Sequence, residues 1–103
     1  MHEKKISHRD IKPNNVIITP SKQGYYKTHL IDFGFAIKHR YGQEYLNCGT
    51  PLFMPPEIHM NKSYHASSAD VWSLGVVFYH LVIGRNPFGD NSSSREEIKK
   101  RIT

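Results

Sequence analysis

The apolar residues of the chain come in short runs whose spacing changes along its length. In "ISHRDIKPNNVII", residues 6 to 18, Ile6 and the run Val16 to Ile18 enclose a polar loop. With both ends anchored in a core, that loop is held rather than free. The β-branched "VII" and the apolar "HLI" flank "TPSKQGYYK", residues 19 to 27, which is rich in Thr, Pro, Ser and Gly. This reads as strand, turn, strand. From Gly34 to Pro56 no period of 2 or 3.6 persists, so an extended irregular segment is expected, of a length that suits a functional role.

Two helices follow. "SSADVWSLGVVFYHLVIG" opens on Ser67, with Asp70 three residues on in the place a capping box usually gives to Glu, and it closes on Gly84. Val71, Trp72, Leu74, Val77, Phe78, Leu81, Val82 and Ile83 make it apolar on nearly every face, which predicts a helix buried all round. "SSREEIKKRI" begins with Ser, carries Glu96 and Glu97 early and Lys100 and Arg101 a turn later. That order suits both the helix dipole and i,i+4 pairing, and predicts a mostly exposed helix.

Composition narrows the class. A length of 103 residues allows one small domain at most, and 38% hydrophobic content suits folded material. "VWSLGVVFYHLVIG" is interrupted by Ser73 and His80 and falls short of the roughly 20 apolar residues of a membrane span, so no transmembrane segment is expected. "MHEKKISHRD" has no apolar run of the signal-peptide type. The lone Cys48 suits a reducing compartment, and together these features point to the cytoplasm or nucleus.

The net charge of +5 sits in "EKK", "KHR" and "KKR". Such short runs usually form a solvated face, the alternative being a phosphate-rich partner. No histidine pair has metal-site spacing with an acidic helper, so no structural zinc is expected.

The polar loop carries the candidate chemistry. Asp10 and Asn15 lie in "DIKPNN", which Pro13 stiffens, and Asp32 begins "DFG" after the hairpin. A strand, turn, strand unit brings positions 15 and 32 to neighbouring strand ends. Asn15 and Asp32 then offer the hard oxygen ligands that Mg²⁺ prefers, Lys12 a point charge for phosphate, and Asp10 a group free to act on a proton. Taken alone, Asp10 could equally be a loop acid capping a turn, and Asn15 a turn residue.

This constellation resembles the eukaryotic protein kinase family, over essentially the whole chain. "HRDIKPNN" is similar to the catalytic loop H-R-D-x-x-x-x-N, "DFG" to the metal-binding motif, and "GTPLFMPPE" to the end of an activation segment, with Pro55 replacing Ala in A-P-E. "DVWSLGVV" resembles the family's central helix. The implied fold is α+β: a mainly helical C-terminal lobe with a small β-hairpin, residues 1–103 forming a partial domain truncated at both ends.

The resemblance implies ATP and Mg²⁺ as cofactors and a role for each matching residue. Asp10 would accept or orient the proton of the substrate hydroxyl, Lys12 would neutralise charge on the phosphoryl group, and Asn15 and Asp32 would hold the metal. His8 and Phe33 would be packing residues. Gly34 would supply a backbone conformation other residues resist, and Asp70 would hydrogen-bond the catalytic-loop backbone. Trp72 reads as core.

Lys12 and the "GT" ending at Thr50 resemble members that act on serine or threonine, so Ser/Thr side chains of proteins are the expected acceptors. Thr50 would orient the substrate, while Pro51 and Met54 would line an apolar pocket for the residue after the target. Asn14 stands where arginine-directed members have Glu, which leaves peptide preference open. Arg9 is similar to the arginine that captures an activation-loop phosphate, yet the usual phosphorylated position is Leu46. Tyr41, Tyr45 and Thr50 are the other hydroxyls of the segment.

No glycine-rich loop or V-A-I-K lysine precedes "HRD", and no arginine follows to pair with Glu57. Met1 and His2 resemble the "L-H" that ends the helix before the catalytic loop. The expectation is a kinase fragment that is inactive alone. The alternative is a non-catalytic binding module, which has no physical need for Asp10, Lys12, Asn15 and Asp32 together. No specific nucleic-acid partner is implied.

Overall fold

The computed structural model describes residues 1–38, 44 and 47–103. The readings of Tyr41, Tyr45 and Leu46 lie outside the described residues.

A single 3-10 turn, His2–Lys4, leads into β1, Ile6–Ser7. The polar loop follows and ends in a second 3-10 turn, Pro13–Asn15, where proline occupies a position that needs no N–H donor. β2, Val16–Pro20, and β3, Tyr26–Leu30, then form an antiparallel hairpin in the register Val16 to Leu30 through Pro20 to Tyr26. The strands run further into the expected turn than their composition suggests, so the reversal itself is confined to residues 21 to 25, tied by the Ser21 and Tyr25 backbones. β4, Ile37–Lys38, returns to pair with β1, placing Ile6 beside Lys38 and Ser7 beside Ile37. Two-residue strands carry no readable period, which is why the sequence does not announce them.

Past Glu44, whose backbone bridges to Tyr64, the chain makes a 3-10 turn at Pro51–Phe53 and a one-turn helix α1, Pro56–His59. The long helix α2 spans Ala66–Ile83 and ends on Gly84 in a left-handed conformation, its N–H bonded to the His80 carbonyl. Helix α3, Arg95–Ile102, is capped by Ser94, whose hydroxyl accepts the Glu97 N–H, and only Ile98 is buried. The exposed character expected for this helix is observed.

Two features of α2 correct the sequence reading. The helix starts at Ala66 after His65, with no side-chain cap, so the Ser67 and Asp70 capping box does not form. Asp70 is turned inward and spent elsewhere. Nor is the helix buried all round: Ala66, Ala69, Asp70, Ser73, Val76 and Val77 form the buried stripe, while Val71, Phe78, Leu81 and Val82 face outward, Val82 at 79% exposure. Apolarity states what a helix can bury, and no described residue covers this second face.

At 18 residues, α2 is also long and apolar enough to cross a membrane by length and composition, contrary to the sequence expectation. Core helices pass the same test, and the buried stripe packs as one. It joins two clusters: Met54, Ile58, Tyr64, Ala66 and Ala69 on one side, Ile11, Phe53, Val76 and Val77 on the other. Trp72, half-buried at the rim of the second cluster, stacks on Phe88 with ring centroids 5.9 Å apart. The polar loop is thereby pinned between the hairpin and α2, with Ile11 as its apolar foot.

Candidate functional site

The loop backbone is fixed from beneath by α2. One Asp70 oxygen accepts the His8 N–H at 2.8 Å and the other accepts the Arg9 N–H at 2.8 Å, while His2 Nε2 lies 2.9 Å from the carboxylate. Arg9 takes a left-handed conformation, φ 67°, which turns consecutive amides toward one acid. His8 is fully buried; its Nδ1 accepts the Asp10 N–H at 3.1 Å, so Nε2 carries the proton donated to the Ile31 carbonyl at 2.8 Å. The loop is thus tied to α2 through the amides of His8 and Arg9, and to the end of β3 through the His8 ring.

On this support Asp10 is 8% exposed and reaches three side chains. Thr50 Oγ1 donates to Asp10 Oδ1 at 2.7 Å and itself accepts from Lys12 Nζ at 3.0 Å; Lys12 Nζ is 3.8 Å from Asp10 Oδ2. Asn15 Nδ2 donates to the Asp10 carbonyl at 2.9 Å and more weakly to Oδ2 at 3.4 Å. The carboxylate is held by donors on both oxygens, beside one ammonium charge. Asn15 keeps its amide oxygen clear of Asp10.

Asp32 stands apart from that group. It is exposed, in a left-handed conformation of φ 58°, and its Oδ1 accepts the Gly34 N–H at 3.2 Å. The Ile31 N–H bonds the Asn15 carbonyl at 2.9 Å, so Asn15 and Asp32 stand at adjacent strand ends. Among the described residues no three His, Cys, Asp or Glu side chains converge on one point. A cation here would draw its remaining ligands from water and substrate, the habit of Mg²⁺, and the oxygen donors of Asn15 and Asp32 fit it.

Several sequence readings change in detail. The left-handed residue of "DFG" is Asp32, not Gly34; a side chain at Gly34 would instead press on Asp32 Oδ1 at 3.2 Å. Phe33 packs one edge on His8, centroids 4.9 Å apart, and is otherwise half-exposed. Met54 is 3% exposed, drawn into the core beside Ile58 and Tyr64, and it lines a small cavity that Asp10 and Thr50 line as well; Pro51 keeps partial exposure. Arg9 donates to the Phe35 carbonyl at 2.7 Å and to the Tyr64 hydroxyl at 3.3 Å. Burial, above all, pushes the Tyr64 phenol above its ordinary pKa. Glu57 makes no ion pair among the described residues.

The segment around Thr50 is fixed by residues that sequence reasoning did not single out. Gly49, φ 113°, passes so close to the loop that a Cβ would sit 2.9 Å from the Arg9 carbonyl. The next carbonyls are each taken by a side chain: Pro51 by His59 Nε2 at 3.0 Å, Leu52 by Asn86 Nδ2 at 3.1 Å and Phe53 by Ser73 Oγ at 2.7 Å. Ser73 left a trace, a hydroxyl inside an apolar helix. His59 and Asn86 left none.

Comparison with known proteins meets this geometry. The protein kinase domain matches residues 1–103. The cGMP-dependent protein kinase of Plasmodium berghei (strain Anka) is 41% identical over 102 residues, covering 99% of this chain and 11% of its own length. That of Toxoplasma gondii is 41% identical over 102 residues, covering 99% and 10%. Sperm motility kinase 2A of Mus musculus is 42% identical over 98 residues, covering 94% and 18%. The chain thus spans between 10% and 18% of the length of these relatives.

Proposed function

Because the chain belongs to the protein kinase family, we propose that it is the C-terminal-lobe part of a serine/threonine kinase, holding the catalytic loop and metal ligands that move the γ-phosphate of ATP to protein hydroxyls. One observation carries the reading: Thr50 Oγ1 donates to Asp10 Oδ1 at 2.7 Å while accepting from Lys12 Nζ at 3.0 Å. A carboxylate poised to take a proton, a cation beside it and a hydroxyl joining the two suit phosphoryl transfer, where positioning and charge stabilisation do most of the work.

In that mechanism the acceptor hydroxyl of a Ser or Thr side chain approaches Asp10. Its oxygen bonds to the γ-phosphorus, the bond to the ADP oxygen breaks, and the hydroxyl proton passes to the Asp10 carboxylate. Lys12 faces the negative charge on the moving phosphoryl group. Asn15, through its amide oxygen, and Asp32, through the oxygen not bonded to Gly34, would hold Mg²⁺. The bound metal supplies charge neutralisation for the phosphates. Asp70 and His8 act at one remove, keeping the loop's amides and carbonyls satisfied so that Asp10 does not drift.

The acceptor class is tested with the full-length protein, γ-labelled ATP and peptides whose sole hydroxyl belongs to Ser, Thr or Tyr. Label on Ser and Thr peptides is expected. Label confined to Tyr, or no transfer to any peptide, would overturn the reading.

A further inference from the structure

The carbonyls of Pro51, Leu52 and Phe53 are bonded in succession by His59 from α1, Asn86 from the loop after α2 and Ser73 from within α2. The residue before them, Thr50, touches Asp10. A shift of this short backbone therefore moves a group in contact with the reacting carboxylate. We propose that His59 is a positioning residue for this segment, holding the Pro51 carbonyl so that an acceptor peptide meets a fixed backbone beside Thr50. The inference rests on the kinase reading above.

His59 is the titratable member of the clamp, and its surroundings keep it neutral. It is 4% exposed, and donating from Nε2 to Pro51 leaves Nδ1 as a lone-pair nitrogen, buried and without a hydrogen-bond partner. Burial pushes its pKa below the ordinary histidine value of 6.5; the Pro51 carbonyl and, more weakly, the Met54 backbone oppose this, and the charges of Arg95 and Lys99 on α3 add to it. Protonation would place a second N–H on Nδ1, a buried nitrogen that makes no hydrogen bond in the structure, and a positive charge near those of Arg95 and Lys99. The sign follows. Below about pH 6.5 the unfolded chain takes up the proton before the folded one does, so stability and the clamp are intact above that pH and are lost as it falls through the lowered value.

The test uses the full-length protein with His59→Ala and His59→Gln, reading KM for a Ser peptide, KM for ATP and amide exchange at Phe53 and Met54. Those amides bond the Thr50 and Pro51 carbonyls within the segment. His59→Ala is expected to raise peptide KM about three- to tenfold, the range of one hydrogen bond, with ATP KM unchanged and the two amides exchanging faster. Glutamine can donate to the same carbonyl but does not titrate. His59→Gln should therefore restore KM at about pH 7.5 and abolish the rise in peptide KM that the wild type shows toward about pH 5.5. Unchanged KM and exchange in His59→Ala, or an acid rise in His59→Gln equal to that of the wild type, would overturn the proposal. The exchange readout needs no catalysis, so it reports on the clamp even if Asp10→Asn shows that the kinase reading fails.

Discussion

The carboxylate of Asp70, 1% exposed, accepts the backbone N–H of Arg9 at 2.8 Å across 61 residues of sequence. With its other oxygen on the His8 N–H, this acid sets the conformation of the polar loop from the interior of α2. The loop's geometry is thus a property of the core.

Asp70→Ala would strand consecutive buried amides. Each unsatisfied group costs about 1–3 kcal/mol, so with two amides a loss of about 2–6 kcal/mol is expected in urea denaturation of the full-length protein. Asp70→Asn, which keeps one acceptor oxygen, should lose less. Equal stability of wild type and Asp70→Ala would show that water replaces the carboxylate and that α2 does not hold the loop.

Gly49 and Gly24 separate steric need from conformational need. Both have positive φ, 113° and 84°, yet a Cβ at Gly49 meets the Arg9 carbonyl at 2.9 Å while one at Gly24 meets nothing within 4 Å. Gly24→Ala should cost about 1 kcal/mol, the left-handed penalty alone. Gly49→Ala should cost more, about 2–4 kcal/mol, because the polar loop or the Thr50 segment has to move. Thermal unfolding of the pair checks the order.

Much of this architecture was legible in the residues, and the exceptions share a cause. The hairpin was readable because β-branched Val16 to Ile18 adjoin a turn rich in Ser and Gly, and α3 because Ser94 and its charges follow local rules. The start of α2 was misread because Ser67 and Asp70 have the spacing of a local cap, whereas Asp70 bonds residues 61 and 62 positions away. His59, Ser73 and Asn86 act on carbonyls 8, 20 and 34 residues distant, and no local period encodes such bonds. Of the candidate site, Asp10, Lys12, Asn15 and Thr50 come together in space. Met54 borders Asp10 and Thr50 from the core side, across a small cavity, because apolar character fits a core as well as a pocket.

The outward face of α2 makes a prediction for residues 1–103 prepared alone. Leu81 and Val82 are exposed, whereas Val76 is 5% exposed. An apolar surface of this kind drives association. Leu81→Lys with Val82→Lys should reduce self-association measured by light scattering without lowering the unfolding midpoint. Val76→Ala should lower stability by about 1–3 kcal/mol and leave association unchanged.

The central claim, that Asp10 takes the acceptor's proton while other residues hold the nucleotide, is tested most directly by single-turnover phosphoryl transfer in the full-length Asp10→Asn protein, with Mg·ATP affinity measured alongside. The account predicts transfer slowed about 10²- to 10⁴-fold at unchanged affinity, the signature of a lost general base. Asp32→Ala, by contrast, should weaken Mg²⁺-dependent binding. Transfer by Asp10→Asn at the wild-type rate would contradict the account.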